Sequence, residues 1–372
     1  MQFIHELPDW PKLRWNSEAL ATPLAAVRHE QGKHLGKMQA LGFPLQSEAN
    51  LEVLTTELVK SWAIEGETLA SDEVRSSIAS KLGLDIAGLP AASQEIEGIV
   101  ELMLDATTRF DSPLTPERLY SWHAALFPTG RSRPGRITVG AWRPEEAGPM
   151  RVVSGHLGRE IVHFEAPQAA RLAKEMTAFL DWFNNGPALD PVLKAGIAHL
   201  WFVTVHPFED GNGRIARAIG ELALARADKT PQRFYSLSSQ IAAERRQYYL
   251  ELEAAQRGEL DITDWLTWFL QCLDGAIASA DKTLAHVFHK AKLWQVLNRR
   301  PVNDRQRVVI NRLLNNFKGF LSTSKYAKLA HCSQDTAARD MRELLERGVL
   351  VKNPGGGRST SYSLAEPDSL PG

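Results

Sequence analysis

The chain has 372 residues, a length that favours two or three domains, each large enough to bury its own core. The formal net charge is -1, so the chain as a whole is not drawn to nucleic acid or acidic lipid, and any such attraction must be local. Its two cysteines, Cys272 and Cys332, have no metal-ligand spacing and predict no disulfide framework. The sequence has no signal-like amino terminus and no apolar run of about 18 residues, so we expect a cytoplasmic protein without a membrane partner.

Helical patterns dominate the first three quarters of the sequence. Asn16 is a suitable cap for a first helix that ends near Gly42, ahead of Pro44, and Ser47 is expected to open a second helix that continues past Trp62. Further amphipathic helices are predicted over residues 93–110, 115–127, 168–184, 191–207, 214–227, 240–256 and 261–297. The predicted fold class is therefore mainly α.

Residues 130–165 form an exception to the helical pattern. They are rich in Gly, Pro and Arg and contain three short β-branched runs, Ile137–Val139, Val152–Val153 and Ile161–Phe164. We expect one or two β-hairpins attached to the helical body. Loops fixed to a rigid scaffold commonly carry binding residues, so this segment is predicted to border a site.

The composition changes after about residue 300. Residues 299–372 contain thirteen Lys or Arg against seven Asp or Glu. Three helical patterns precede two short strands, which are joined by a Gly-rich loop that carries Lys352 and Arg358. This order resembles a winged helix-turn-helix, in which "SQDTAARDMREL" would enter the major groove of DNA. Such units also serve as packing or dimerisation modules, and both interpretations stay open.

A short polar segment, "HPFEDGNGRIAR" at residues 206–217, follows the apolar run "IAHLWFVTV". Gly211 and Gly213 permit a sharp turn and leave backbone amides uncovered by side chains. A helix that begins near Arg214 would direct those amides at an anion, together with Arg214 and Arg217. The segment is therefore predicted to bind a polyphosphate.

Two further residues of this segment suit chemistry on a bound phosphate. Asp210 would be repelled by the phosphates unless a cation lay between them, which is how Mg²⁺ is commonly held against a nucleotide. His206 lies at the edge of the turn, where it could accept a proton from an incoming hydroxyl. The simpler alternative is a solvated turn between two helices.

The same twelve residues match the signature of Fic domains, His-Pro-Phe-x-Asp/Glu-Gly-Asn-Gly-Arg-x-x-Arg, at every position, so the segment resembles that family. The resemblance implies a helical core with a β-hairpin flap, and transfer of AMP from ATP to a Ser, Thr or Tyr hydroxyl of a target protein with release of pyrophosphate. It implies that His206 is the general base and that Asp210 binds Mg²⁺. It also implies the phosphate contacts: Gly211, Asn212, Gly213 and Arg214 for the α- and β-phosphates, and Arg217 for the γ-phosphate.

The resemblance extends to both sides of the motif. The segment "QYYLELEAAQRGELDITDWLTWFL" is similar to the part of Fic domains that closes the adenine end, which implies nucleotide contacts for Tyr248 and Gln256, although family members often have Asn at the second position. The segment "RVVSGHLGREIVHFEAP" occupies the flap position. There the resemblance implies that the strand Val153, Ser154 and Gly155 pairs with target backbone.

An inhibitory pattern ends the second predicted helix. In "SWAIEGE", Ser61, Glu65 and Gly66 fit the pattern [Ser/Thr]-x-x-x-Glu-[Gly/Asn] of self-inhibited Fic proteins. The resemblance implies that Glu65 pairs with Arg217 in place of the γ-phosphate. ATP would then bind with its α-phosphate misoriented.

Together these features predict three domains and leave several functions open. The domains are an N-terminal helical domain with the inhibitory helix at 1–90, a Fic domain at 91–298 and a winged helix-turn-helix at 299–372. The leading interpretation is a self-inhibited protein adenylyltransferase that could form a homodimer. The alternatives are a deAMPylase, a bifunctional enzyme, and a transcriptional regulator that senses nucleotide through its Fic core and binds DNA.

Overall fold

The computed structural model describes residues 2–84, 90–132, 135–154, 161–297, 302–314, 317, 319–354 and 360–365. The chain divides into two compact units, Met1–Asp281 and Lys282–Gly372. The fold is mainly α, as the sequence predicted. The predicted boundary after residue 298 falls outside the described ranges, and the three-domain division stays a prediction.

Helices make up most of the first unit. They are α1 (Ser17–Gln39), α2 (Phe43–Ile64), α3 (Ser71–Lys81), α4 (Gln94–Thr108), α5 (Pro116–Leu126), α6 (Leu172–Asn185), α7 (Pro191–Val205), α8 (Asn212–Asp228), α9 (Leu237–Ala243), α10 (Arg245–Arg257) and α11 (Thr263–Thr283). Side-chain oxygens of Asn16, Ser93, Thr115 and Asp190 accept hydrogen bonds from first-turn amides of α1, α4, α5 and α7. Capping of this kind fixes where a helix begins.

Several predicted helix boundaries were wrong. Helix α2 begins at Phe43 rather than Ser47, because Pro44 lies in its first turn, where a missing N–H costs nothing. Helix α3 was not predicted. The pattern at 240–256 covers two helices, α9 and α10, and the pattern at 261–297 covers α11 and the following helix α12 (Ala285–Leu297). Helix α8 begins at Asn212, two residues before the predicted start.

Two antiparallel hairpins interrupt the helices between α5 and α6. The first is β1 (Arg131–Ser132) with β2 (Gly135–Arg136), and the second, the flap, is β3 (Arg151–Ser154) with β4 (Ile161–Glu165). The predicted strand at Ile137–Val139 is wrong, since the chain there is not part of a sheet. Val152–Val153 and Ile161–Phe164 do lie in strands. The flap base packs on the amino terminus, where the ring of Phe164 lies edge-on to Phe3 at 5.1 Å between centroids.

The core of the first unit is built around α7 and α8. Helix α7 is apolar around its whole circumference, which is the pattern of a fully buried helix. It packs along α8, while α4 and α5 also contact α8 and α2 packs on α3 and α9. The turn between these two buried helices is residues 206–211, so the polar motif begins in the core of the unit.

The second unit contains α12, α13 (Asp304–Leu314), α14 (Thr323–Leu329), α15 (Gln334–Glu346) and the hairpin of β5 (Leu350–Lys352) with β6 (Tyr362–Leu364). Its core includes Val309, Tyr326, Met341 and Leu350. A bridge between Leu321 and Tyr362 attaches the hairpin to the segment before α14. In the ranges given above, no helix combines the length and the apolar character that crossing a bilayer requires.

Candidate active site

His206 is held in an unusual backbone conformation at the end of α7. Its φ of 50° and ψ of 58° lie in the left-handed region, which costs a residue with a Cβ about 1–2 kcal/mol. The amide donates to the carbonyl of Phe202 at 3.0 Å, and ring Nδ1 lies 3.1 Å from the carbonyl of Val203. A carbonyl can only accept, so Nδ1 carries the proton and Nε2 keeps its lone pair. Burial lowers the pKa of His206 to about 4, so the ring is neutral at pH 7.

The turn after His206 depends on Gly211 and Asn212. Gly211 has a φ of +81°, and a Cβ there would lie 2.9 Å from the ring of Phe127. The side chain of Asn212 bonds both main-chain groups of Phe208, accepting from its amide at 3.0 Å and donating to its carbonyl at 2.8 Å. These contacts place the first amides of α8 beside His206, at a helix end that favours negative charge.

A carboxylate from α2 lies against this helix end. Glu65 Oε1 is 2.8 Å from Arg217 Nη2 and approaches Gly213 so closely that a Cβ there would collide with it. Ser61 Oγ accepts from Arg217 Nε at 2.7 Å, and the carbonyl of Ser61 accepts from Nη2 at 2.9 Å. Burial alone would lower the pKa of Arg217, but the Glu65 carboxylate raises it. The predicted pairing of Glu65 with Arg217 is thus present in the structure.

The other motif arginine, Arg214, is enclosed in a similar way. Its guanidinium carbon lies 5.4 Å from the ring centre of Trp62 and 5.1 Å from that of Phe127. Nη1 donates to Glu67 at 3.0 Å, and Nη2 lies 3.4 Å from Asp210. The end of α2 and the residues just after it therefore contact both arginines of the motif.

Further hydrogen bonds fix the carboxyl-terminal half of α2. The buried carboxylate of Glu57 accepts from Ser236 Oγ at 2.7 Å and from the amide of Ser238 at 3.0 Å, at the start of α9. The carbonyl of Ile64, at the end of α2, accepts from Arg245 Nε at 2.6 Å and from the hydroxyl of Tyr249 at 3.3 Å. Gly66 then turns the chain with a φ of +81°, which suits glycine.

Parts of the chain match known protein families. A model of the Fic/DOC family matches residues 113–224, and a model described as a domain of unknown function (DUF4172) matches residues 3–84. The protein adenylyltransferases fic-1 of Caenorhabditis elegans and Caenorhabditis briggsae are 32% and 31% identical over 201 residues, which are 53% of this chain and 36% of each relative. The chain carries a Fic/DOC-family domain.

A solved structure supports the fold of this Fic domain. A Fic family protein from Desulfovibrio desulfuricans has a TM-score of 0.59 at 22% identity, with 96% of this chain and 98% of that chain covered. At this identity the likeness concerns the fold alone. The chain spans 36% of the length of the curated relatives named above.

Tyr248 and Gln256, the predicted nucleotide contacts on α10, are both buried against α7 of the Fic domain. The hydroxyl of Tyr248 lies 3.0 Å from His199 Nε2, and Gln256 Nε2 donates to Thr204 Oγ1 at 3.4 Å. Burial lowers the pKa of His199 to about 3, which keeps that ring neutral. Both side chains are buried in this structure, and their contact with nucleotide stays a prediction.

The flap exposes apolar side chains on β3 and β4. Val153, at 47% exposure, pairs in register with Val162, and Ser154 pairs with Ile161. Gly155 lies outside the described residues. Val152 is also exposed, so a band of apolar surface lies on the hairpin that the sequence assigns to target binding.

Asp210, the predicted Mg²⁺ ligand, lies on the turn before α8. Its carboxylate accepts from Ser132 Oγ and from the amide of Gly211 at 2.5 Å, and it remains partly exposed. Among the described residues no group of three His, Cys, Asp or Glu side chains could hold a metal by itself. One carboxylate is compatible with Mg²⁺, which usually keeps several waters and shares its other ligands with substrate phosphates.

Two residues that were not predicted from the sequence, His123 and Arg143, support the motif from outside it. The neutral ring of His123, on α5, stacks on Phe208 with 4.1 Å between centroids. Its Nδ1 accepts from the amide of Gly140 at 3.3 Å, so Nε2 donates to the carbonyl of Asp210 at 3.2 Å. Arg143 bonds the carbonyl of His206. Their partners are distant in sequence, and no local pattern marks them.

Proposed function

We propose that this protein transfers AMP from ATP to a hydroxyl side chain of a target protein, and that the end of α2 inhibits the transfer. The observation that carries the proposal is the anion position at the amino end of α8, where Arg214 and Arg217 each bind a carboxylate a few residues after the neutral base His206. The names of the curated relatives, protein adenylyltransferases, support the same reaction.

In this reaction the target oxygen attacks the α-phosphorus of ATP, and the bond from that phosphorus to the β-phosphate bridging oxygen breaks. The hydroxyl proton passes to His206 Nε2, and pyrophosphate leaves. A pKa of about 4 makes His206 a weak base in the closed site, but nearby phosphate charge raises a histidine pKa. Bound nucleotide would therefore bring the base closer to its working range.

The remaining groups of the motif would position and neutralise the phosphates. Arg214 and the amides at Gly211, Asn212 and Gly213 would hold the α- and β-phosphates, and Arg217 the γ-phosphate. Asp210 would hold Mg²⁺, which when bound supplies charge neutralisation between the carboxylate and the phosphates. Fixed cations and amides of this kind stabilise charge in a phosphoryl-transfer transition state without reorganising.

Inhibition follows from competition for these cations. Glu65 takes the contact at Arg217 that a phosphate would take, and Glu67 and Trp62 engage Arg214. A polyphosphate that enters with its full set of contacts must displace both carboxylates. We infer that α2 and the turn after it act as one inhibitory segment, with Glu65 as its main contact and Ser61 and Gly66 as supports.

The test uses ATP labelled at the α- or the γ-phosphate, incubated with the Glu65→Gly protein and a host lysate. Label in protein from the α position only, with the modified residue identified by mass spectrometry, is the expected result. Label from the γ position would indicate a kinase and contradict the proposal. His206→Ala in the same background controls for label that is bound without transfer.

A second candidate is removal of AMP from a modified target, since Glu65 is 31% exposed and could orient a water. Wild-type protein would then release AMP from a target that the Glu65→Gly protein has modified. Glu65→Gln, which keeps the size of the side chain and removes its charge, should lose this release. Equal release without the wild-type protein would remove the candidate.

We also propose that the second unit binds duplex DNA as a winged helix-turn-helix. Arg339 and Arg342 are exposed on α15, which follows α14 after a tight turn and precedes the β5–β6 hairpin. The loop with Arg358 lies outside the described residues. Binding of the full chain to duplex DNA should weaken with salt and with the double change Arg339→Ala and Arg342→Ala. Absence of binding at low salt would favour a protein interaction module instead.

A further inference from the structure

Arg143 is a buried cation that bonds mainly to backbone carbonyls. The side chain, which is 3% exposed, donates from Nε to the carbonyl of His206 at 2.9 Å and from Nη2 to the carbonyl of Pro167, while its own amide donates to the carbonyl of Pro207 at 2.9 Å. Within the part of the chain that the structure describes, Nη1 has no hydrogen-bond partner and no carboxylate forms an ion pair with this guanidinium.

Such a cation is expensive to bury. A buried charge without a counter-charge is strongly unfavourable in proteins, and hydrogen bonds to carbonyls offset only part of that cost. Burial lowers the pKa of Arg143 to about 10, so the group remains charged at pH 7. An apolar side chain would fill this space with less loss of stability than Arg143. The role of Arg143 is therefore indicated by the carbonyls with which it forms hydrogen bonds.

Those carbonyls belong to two elements of the proposed reaction. His206 and Pro207 begin the motif loop, and His206 has a left-handed backbone that needs support. Pro167 lies two residues after the end of β4, at the exit of the flap. Arg143 itself lies eight residues before β3 in the chain, and its side chain links the motif loop to the exit of the flap.

We propose that Arg143 is a positioning residue that fixes the backbone of His206 and connects the motif loop to the flap at Pro167. This proposal rests on the proposed AMP transfer. It assigns a role to a residue that lies outside the motif and the inhibitory segment and has no contact with the phosphate position. A displacement of the base by about 1 Å can cost about 100-fold in rate, which sets the size of the expected effect.

The charge of Arg143 gives a signature that a purely structural residue would lack. The charged groups that act on the His206 ring are Arg143, Asp210 of the same loop and Glu65 of the inhibitory segment. The guanidinium lowers the pKa of His206, and the two carboxylates raise it. Removal of the guanidinium should therefore raise the pKa of His206, whereas Lys at this position should keep it low.

The experiment compares Arg143→Gln, Arg143→Lys and the surface control Arg109→Gln, all in the Glu65→Gly protein. We expect Arg143→Gln to lower kcat for AMP transfer about 100-fold while the Kd for ATP changes less than about threefold. Arg143→Lys should recover part of kcat, since an ammonium can hold one carbonyl, and Arg109→Gln should match the background. A kcat for both Arg143 variants within threefold of the background would overturn the proposal.

A second readout does not depend on activity. The ring of His206, assigned in ¹³C NMR spectra by the loss of its signal in His206→Ala, should titrate at a higher pH in Arg143→Gln and at the background pH in Arg143→Lys. An unchanged titration midpoint of His206 in Arg143→Gln would contradict the claim that the Arg143 charge acts on this ring. If the Glu65→Gly protein transfers no AMP, the proposed function fails, and this titration still decides whether Arg143 acts on His206. Should Arg143→Gln fail to fold, a full kcat in Arg143→Lys overturns the proposal and a reduced kcat with unchanged ATP affinity supports it.

Discussion

The motif loop (residues 206–211) and the flap (β3 and β4) have different roles in the proposed reaction, and they differ in how far their side chains are bonded within the protein. In and beside the motif loop, polar groups are bonded within the protein. Asn212 accepts a hydrogen bond from the amide of Phe208, His123 donates to the carbonyl of Asp210, and Glu65 forms an ion pair with Arg217. The flap leaves Val153 and its neighbours exposed, and within the described residues its strands pair only with each other. We infer that the nucleotide site is preorganised and regulated, whereas target recognition is left to an open strand edge.

The largest effect on AMP transfer is expected at His206, the first residue of the motif loop. His206→Ala in the Glu65→Gly background should lower AMP transfer at least about 1000-fold, within the range that general bases contribute, because Nε2 is the proton acceptor. The Kd for ATP should change less than about threefold, since the arginines and amides remain. Transfer assays and calorimetry measure the two quantities, and the exposed His29→Ala is the control. Transfer at a tenth of the background or more would remove His206 from the mechanism.

An intermediate effect is expected at the flap. Val153→Lys places a charge on the strand that we expect to pair with target backbone, so transfer to a target identified by mass spectrometry should fall about tenfold while ATP affinity is unchanged. The matched control is Val308→Lys, a valine of similar exposure in the second unit. A change in ATP affinity without a change in target transfer would reverse the division of roles between flap and loop.

A smaller effect should separate the two carboxylates of the inhibitory segment. Glu67→Gln added to Glu65→Gly should raise AMP transfer about threefold further, since partly exposed ion pairs contribute little. Glu101→Gln, an exposed glutamate of α4, is the control for net charge. If Glu67→Gln lowers transfer, Glu67 supports catalysis rather than opposing it.

Stability against pH is a separate effect, which is measured on folding rather than on AMP transfer. His123, His199 and His206 are neutral in the folded protein because burial lowers their pKa to about 4, 3 and 4, below the value of about 6.5 for an exposed histidine. The unfolded chain therefore binds more protons, and the stability is complete above about pH 6.5 and is lost as the pH falls toward 4. Each group can contribute up to about 1.4 kcal/mol per pH unit in that window.

Urea unfolding at pH 7 and pH 5 checks this dependence. We expect a lower free energy of unfolding at pH 5, and a weaker dependence in His199→Gln, which removes one buried titrating ring. Equal free energies at the two pH values would show that these histidines are not held neutral.

The sequence predicted contiguous features well and distant ones poorly. The motif turn, the cap at Asn16 and the apolar helix α7 depend on neighbours in the chain, so local patterns were sufficient. Helix α3 was not predicted because few of its residues are apolar. It is stabilised by packing against α2 and α4, which the local sequence does not reveal. Arg143 could not be found from the sequence, because its partners at His206 and Pro167 are main-chain carbonyls 63 and 24 residues away.

The central claim is that the end of α2 holds an AMP-transfer site closed through Glu65 and Arg217. The most direct measurement compares wild-type and Glu65→Gly protein, at equal concentration, for protein-bound label from α-labelled ATP. The claim predicts strong labelling in Glu65→Gly, little in wild type, and none when His206→Ala is added to Glu65→Gly. Equal labelling of wild-type and Glu65→Gly protein would contradict it.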